Sequence, residues 1–163
     1  MKKILISACL AGERVRYDGE TVPIAGRIKR WQTEGRLISV CPEVAGGLGI
    51  PRPPAEITGG TALDVLDRTA VVTDTRGNDV TDAFIRGAAI ALDLARTHAV
   101  GAALFKEKSP SCGVNTVYNG RFSSDLVPGS GVTVAWLKRN GIRVFSENET
   151  DELAAFLNCD DGL

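Results

Sequence analysis

The sequence predicts an α/β domain with a mostly parallel sheet and flanking helices. Apolar runs of strand length alternate with helix-length amphipathic segments along the chain. No internal repeat, low-complexity tract or linker interrupts that alternation, so residues 1–163 read as a single domain. The chain has 163 residues, 44% hydrophobic and 24% charged, which is enough apolar material to bury a core without staples.

Ile4 to Ala8 is a short apolar run and reads as a buried strand, with Cys9 at its end and Gly12 beyond. Thr21 to Trp31 is weakly helical, with Pro23 suited to an early turn. Arg36 to Val40 is a second strand, ended by Cys41-Pro42. Glycines and prolines crowd Gly46 to Gly60 and predict a long shaped loop, of the kind that carries function in small domains. Leu63 to Leu66 and Ala70 to Thr73 read as short strands of a hairpin, followed by a turn at Gly77-Asn78. Thr81-Asp82 supplies an N-cap for the clearest helix, Ala83 to Thr97. Ala102 to Lys106 is a strand running into Glu107-Lys108-Ser109-Pro110-Ser111-Cys112-Gly113. Val132 to Asn140 is a helix stopped by Gly141. Ile142 to Ser146 is the last strand, and Asn148 or Thr150 caps a terminal helix reaching about Asn158. The order describes a Rossmann-like or flavodoxin-like domain, in which ligands sit at the carboxyl ends of the strands, near a topological switch point.

Charge excludes several functions. Nineteen Lys and Arg against twenty Asp and Glu leave a net charge of −1, which gives no general pull toward nucleic acid or an anionic membrane. High apolar content with low net charge also argues against disorder. No apolar run approaches the ~20 residues a membrane helix needs. The N-terminal apolar stretch ends at Leu10, too short for a secretory signal, so the expected location is the cytoplasm. In that compartment Cys9, Cys41, Cys112 and Cys159 read as thiols or metal ligands rather than disulfides. His98 is the single histidine, which excludes multi-histidine zinc sites and disfavours a histidine triad.

Cys9, Cys41 and Cys112 each lie just past a predicted strand. Parallel strands bring three such loops to one sheet edge. The spacings are 32 and 71 residues, with no CxxC, so any metal site is assembled by the fold. Thiolates suit iron–sulfur clusters, zinc or copper. A four-iron cluster normally takes four cysteines, and three leave one iron open as a Lewis-acid position. Cys159, on or after a terminal helix and fifth from the last residue, is a poor fourth ligand. The competing reading is that free cysteine packs as a small hydrophobe. A phosphatase-type nucleophile is excluded after Cys9 and Cys41, because the arginine of Cys-x5-Arg is replaced by Val15 and Gly47. The Gly-x-Gly at Gly47 and Gly49 is no dinucleotide fingerprint, since Arg52 stands at the third glycine.

Three ordered blocks carry a resemblance. They are Ser7-Ala8-Cys9-Leu10-Ala11-Gly12 with Val15-Arg16-Tyr17-Asp18-Gly19, then Cys41-Pro42-Glu43-Val44-Ala45-Gly46-Gly47-Leu48 with Pro51-Arg52-Pro53-Pro54-Ala55-Glu56, and then Ser109-Pro110-Ser111-Cys112-Gly113. Together they resemble the bacterial thiouracil desulfurase family over nearly the whole chain. The resemblance implies a [4Fe-4S] cluster held by Cys9, Cys41 and Cys112, with one iron not ligated by protein. It implies non-redox removal of sulfur from a small-molecule thionucleobase, giving uracil and hydrogen sulfide. It places the acid/base carboxylate on Glu43 and the catalytic serine on Ser109, with Ser111 in the same motif.

Other residues have two readings each. Ser109 and Ser111 flank Pro110 and could serve as turn formers, or Ser111 could hydrogen-bond a pyrimidine carbonyl. Arg52, with Arg16 and Asp18, either shapes a substrate pocket or forms surface ion pairs. Lys106 and Lys108 either hold an anionic cluster or a substrate phosphate or, as is usual on a loop, are solvated charges, and Trp31 and Trp136 read as core rather than site. The rival to an enzyme is a non-catalytic [4Fe-4S] or zinc-binding module used in sensing or sulfur relay. A closed site of four protein ligands would mark that module, and an open coordination position would mark a catalyst.

Overall fold

Alternation along the first strand decides the layering of the domain. The computed structural model describes residues 1–161, with backbone alone for 159–161, so the side chain of Cys159 lies outside the described residues. Strand β1 (Ile4–Ser7) is buried on both faces. Its neighbours are β2 (Leu37–Val40) and β5 (Ala102–Phe105), and β8 (Val144–Ser146) completes a four-stranded sheet of order β2-β1-β5-β8. Every pairing in it is parallel. Ile4 and Ile6 face helices α1 (Gly26–Thr33) and α6 (Thr150–Asp161) in one core. Leu5 faces the opposite way, toward α4 (Thr81–Thr97) and α5 (Val132–Arg139). Side chains alternate across a strand, so the apolar run Ile4-Leu5-Ile6 must be covered on both sides. The α/β class and parallel sheet are therefore as the sequence predicts.

The chain leaves β1 to one side to form β2 and returns on its other side as β5. That reversal opens a crevice at the carboxyl ends of β1 and β5. Two small antiparallel pairs stand apart from the main sheet. One joins β3 (Ala55–Thr58) and β4 (Val71–Asp74), and the other joins β6 (Thr116–Tyr118) and β7 (Leu126–Pro128).

Several elements differ from expectation. Leu63 to Leu66 is not a strand but part of helix α3 (Ala62–Leu66). A capping box decides it: Asp64 Oδ2 accepts from Thr61 N at 2.8 Å, and Thr61 Oγ1 accepts from Asp64 N at 3.4 Å. The strand at 71–74 pairs instead with β3, which lies inside the segment 46–60 expected to be loop. Helix α1 begins at Gly26 and leaves Pro23 outside. Thr81 is the first residue of α4 rather than its cap, and its hydroxyl accepts Val72 N at 2.9 Å.

Helix α2 (Pro42–Ala45) is only four residues long and cannot stand by propensity. Close packing against α4 holds it. A Cβ on Gly46 would lie 1.9 Å from Ala83 O, and one on Gly87 would lie 1.9 Å from Pro42 O. Gly87→Ala raises helix propensity and so, on local grounds, stabilises. The opposite is expected, a loss of about 1–3 kcal/mol from overpacking, read as a fall in the thermal midpoint. A variant as stable as the parent would show that the close approach is dispensable. Among the described residues no helix is long and apolar enough to cross a membrane.

Candidate functional site

The carboxyl ends of β1, β2 and β5 converge on a cavity of about 400 Å³. Cys9, Cys41, Cys112, Glu43, Arg52, Ser109 and Ser111 all line it. The structure thus brings together the three candidate ligands, Glu43, Arg52 and both serines, and Arg16 also lines the cavity, whereas Asp18 does not and instead pairs with Arg16 at 4.0 Å. Each arrives by a different local device.

Cys9 sits in a 3-10 turn, Ala8–Ala11, that follows β1 directly. The turn closes because Gly12 adopts φ +93°, a left-handed conformation that costs other residues energy, and donates its N–H to Cys9 O. Ser7, at the end of β1, accepts Lys106 N at 3.0 Å and so ties the tips of β1 and β5 together. Cys41 is the extended residue before α2, with Pro42 in the first turn. That places Glu43 on the first turn of α2, one step inside the cavity.

Cys112 is set by a loop built around Glu107. This buried carboxylate accepts the backbone N–H groups of Val114 (2.6 Å), Asn115 (2.8 Å) and Thr116 (3.1 Å) through Oε1. Oε2 accepts Asn115 Nδ2 at 3.1 Å. Four donors offset the cost of burying the charge. Gly131 seals the other side, where a Cβ would lie 2.3 Å from Ser111 C.

Glu43 divides its two oxygens between two partners. Oε1 accepts Arg52 Nε at 3.1 Å. Oε2 accepts Ser111 Oγ at 2.8 Å and Ser109 Oγ at 3.4 Å. The serine hydroxyls are 2.9 Å apart, and Ser109 Oγ also accepts the N–H groups of Ser111 and Cys112, each at 3.1 Å. Ser109 is half-buried, whereas Ser111 is 1% exposed. Ser111 Oγ also lies 3.5 Å from Cys112 Sγ. Arg52 Nη1 donates to Gly49 O and Nη2 to Val15 O, each at 3.0 Å, and Nη2 stands 4.0 Å from Cys41 Sγ.

Burial pushes the thiols up. Cys9 is raised to about 11, by burial first and then by the nearby Cys41. Cys41 is raised by burial and by Glu43. Cys112 is raised furthest, by burial and by Cys9 and Cys41, against hydrogen bonds from Ser111 and Ser7 that favour its thiolate. Without metal all three are therefore neutral thiols at pH 7, and they stand close enough to act on one another. Lys106 and Arg16 lower Cys9, so the cavity also carries positive charge suited to thiolates.

This donor set fits an iron–sulfur cluster. It is all sulfur, it is soft, and it lines a space rather than a point. Among the described residues no three His, Cys, Asp or Glu side chains are placed to hold a single metal ion. The far wall is not legible in the sequence. Glu56 of β3 and Tyr118 and Phe122 of the β6–β7 hairpin also line the cavity. Glu56 closes the second resemblance block without a role attached to it, and Tyr118 and Phe122 belong to a short hairpin without alternation, so no local pattern marks the three as cavity wall.

Three comparisons with known proteins bear on this site. The 2-thiouracil desulfurase family model matches residues 4–149. The uncharacterized protein YbbK of Bacillus subtilis (strain 168) is 45% identical over 150 residues, covering 92% of this chain and 99% of its own. The solved structure of a [4Fe-4S]-dependent thiouracil desulfidase, TudS, is 45% identical with a TM-score of 0.89, covering 98% of this chain and 99% of that one.

Proposed function

The chain belongs to the 2-thiouracil desulfurase family, and from that premise we propose that it hydrolyses the C–S bond of thiouracil or a related thionucleobase. Water replaces sulfur, so the thiocarbonyl becomes a carbonyl and one hydrogen sulfide leaves. No electron is gained or lost. Cys9, Cys41 and Cys112 hold a [4Fe-4S] cluster as thiolates. When bound, that cluster supplies an iron without a protein ligand, a Lewis acid for the exocyclic sulfur.

The observation that carries this reading is the meeting of three thiols with the Glu43 carboxylate and the hydroxyls of Ser109 and Ser111 in one cavity. Glu43 acts as general base and then acid, taking a proton from the attacking water and returning it to the departing sulfur. Arg52 occupies Oε1, so Oε2 is the oxygen that works. Each guanidinium nitrogen engages protein, which makes Arg52 a brace for the carboxylate, and its second Nη1 N–H is the donor left to meet substrate. Ser109, the more accessible hydroxyl, meets the substrate as the catalytic serine. Ser111, buried between Ser109 and Glu43, links that hydroxyl to the carboxylate. The substrate is a small molecule, and no nucleic acid or membrane takes part.

Anaerobically reconstituted protein given 2-thiouracil is expected to release sulfide and uracil in equal amounts. Cluster-loaded protein that releases neither product from 2- or 4-thiouracil would sink the reading and leave a cluster-binding module.

A further inference from the structure

Glu56 is a charged residue that the mechanism above does not use. It lies in β3, opposite Thr73 of β4, and only 9% of it is exposed. Its Oε1 accepts the backbone N–H groups of Gly120 at 2.9 Å and Phe122 at 3.3 Å. These bonds pin the connection between β6 and β7 to β3. The seat is close, since a Cβ on Gly120 (φ +87°) would lie 2.3 Å from Ile57 O. Phe122, on the pinned segment, lines the cavity with Tyr118.

The other oxygen has no such partner. Among the described residues Glu56 Oε2 accepts no hydrogen bond and joins no ion pair, nor is it a sealed unpartnered atom. Glu56 itself lines the cavity. A carboxylate taken nine-tenths out of water needs donors on both arms, and here one arm is left for whatever enters. A pyrimidine offers two kinds of edge. Its carbonyl is an acceptor and suits the serine side, while the sulfur is the atom that meets the iron. Its ring N–H groups are donors, and on the far wall Glu56 is the charged acceptor for them, beside the neutral hydroxyl of Tyr118.

We propose that Glu56 is a specificity-determining residue, its Oε2 accepting a ring N–H of the thionucleobase while Oε1 holds the β6–β7 connection over the ring. This rests on the function proposed above and extends it to the recognised edge. The site then selects bases with a free N–H on that edge and rejects those alkylated there, because alkylation leaves a buried carboxylate facing a group that cannot donate.

The test uses cluster-loaded protein with measured iron content. Glu56→Gln suits it because the amide keeps one oxygen for the two loop N–H groups and turns the other arm into a donor. The variant is expected to raise KM for 2-thiouracil about tenfold or more, with kcat nearly unchanged, since a hydrogen bond to a charged group is lost. Uracil, which lacks the sulfur, reports binding without turnover, and its Kd is expected to rise by a similar factor. In the parent, methylating one ring nitrogen of uracil is expected to weaken binding at least about tenfold. In Glu56→Gln that same methyl is expected to cost much less, so the two changes are non-additive. Full additivity would reduce Glu56 to a fastener of the hairpin and overturn the proposal. Should Glu56→Gln unfold, the parent alone decides, because indifference to methylation at both ring nitrogens would overturn it too. Failure of the parent to release sulfide would instead strike the proposed function.

Discussion

Replacing Cys9, Cys41 or Cys112 singly by alanine is expected to drop iron in anaerobically purified protein from about four per chain to below about one. Sulfide release should vanish with it. Three ligands from three separate loops hold the cluster in the proposed reading, and two leave two irons without a protein anchor. The loss should not be a folding defect. Cys9 and Cys112 are buried in the two cores on either side of the sheet, but a change to alanine removes one sulfur from packing that many larger side chains supply. Circular dichroism of each variant should match that of the metal-free parent. Cys159→Ala is expected to keep its full iron. A Cys41→Ala protein that retained a full cluster would overturn the ligand assignment.

The second large effect is at Glu43. Glu43→Gln is expected to lower kcat by about 10²–10⁴ while iron content stays at the parent level. The amide fits the same space, and its oxygen can still accept Arg52 Nε. Its nitrogen faces the serine hydroxyls as a donor and can take no proton from water. KM should change little, because the carboxylate acts on the water and the leaving sulfur rather than on the ring. A variant within tenfold of the parent in kcat would remove Glu43 from the acid/base role. Loss of iron in the variant would show instead that Glu43 supports Cys41.

Sequence and structure agree where one residue type suffices. The apolar runs of β1, β2, β5 and β8 and the periodicity of α4 and α5 were legible because burial on both faces or on one stripe leaves a pattern. The positions of Cys9, Cys41 and Cys112 past strand ends were legible for the same reason, since parallel strands point their carboxyl ends one way. Short elements were not. The apolar run of α3 suits strand or helix, and Thr61 with Asp64 tips it. Strand β3 is hidden among prolines and glycines, and α2 exists through its contact with Gly87.

The sequence by itself therefore determined the fold class, the sheet edge that carries the site and the chemical types gathered there. Only the tertiary structure decided how the charged groups divide their work. Arg52 is spent on Glu43 and on the carbonyls of Val15 and Gly49. Glu107 is spent on three backbone N–H groups of the Cys112 loop. Glu56 keeps one oxygen open, while the other holds a segment 64 residues away. The physical reason is that their partners are mostly backbone N–H and C=O groups, which every residue but proline carries in full, so only folding decides which of them a given side chain meets.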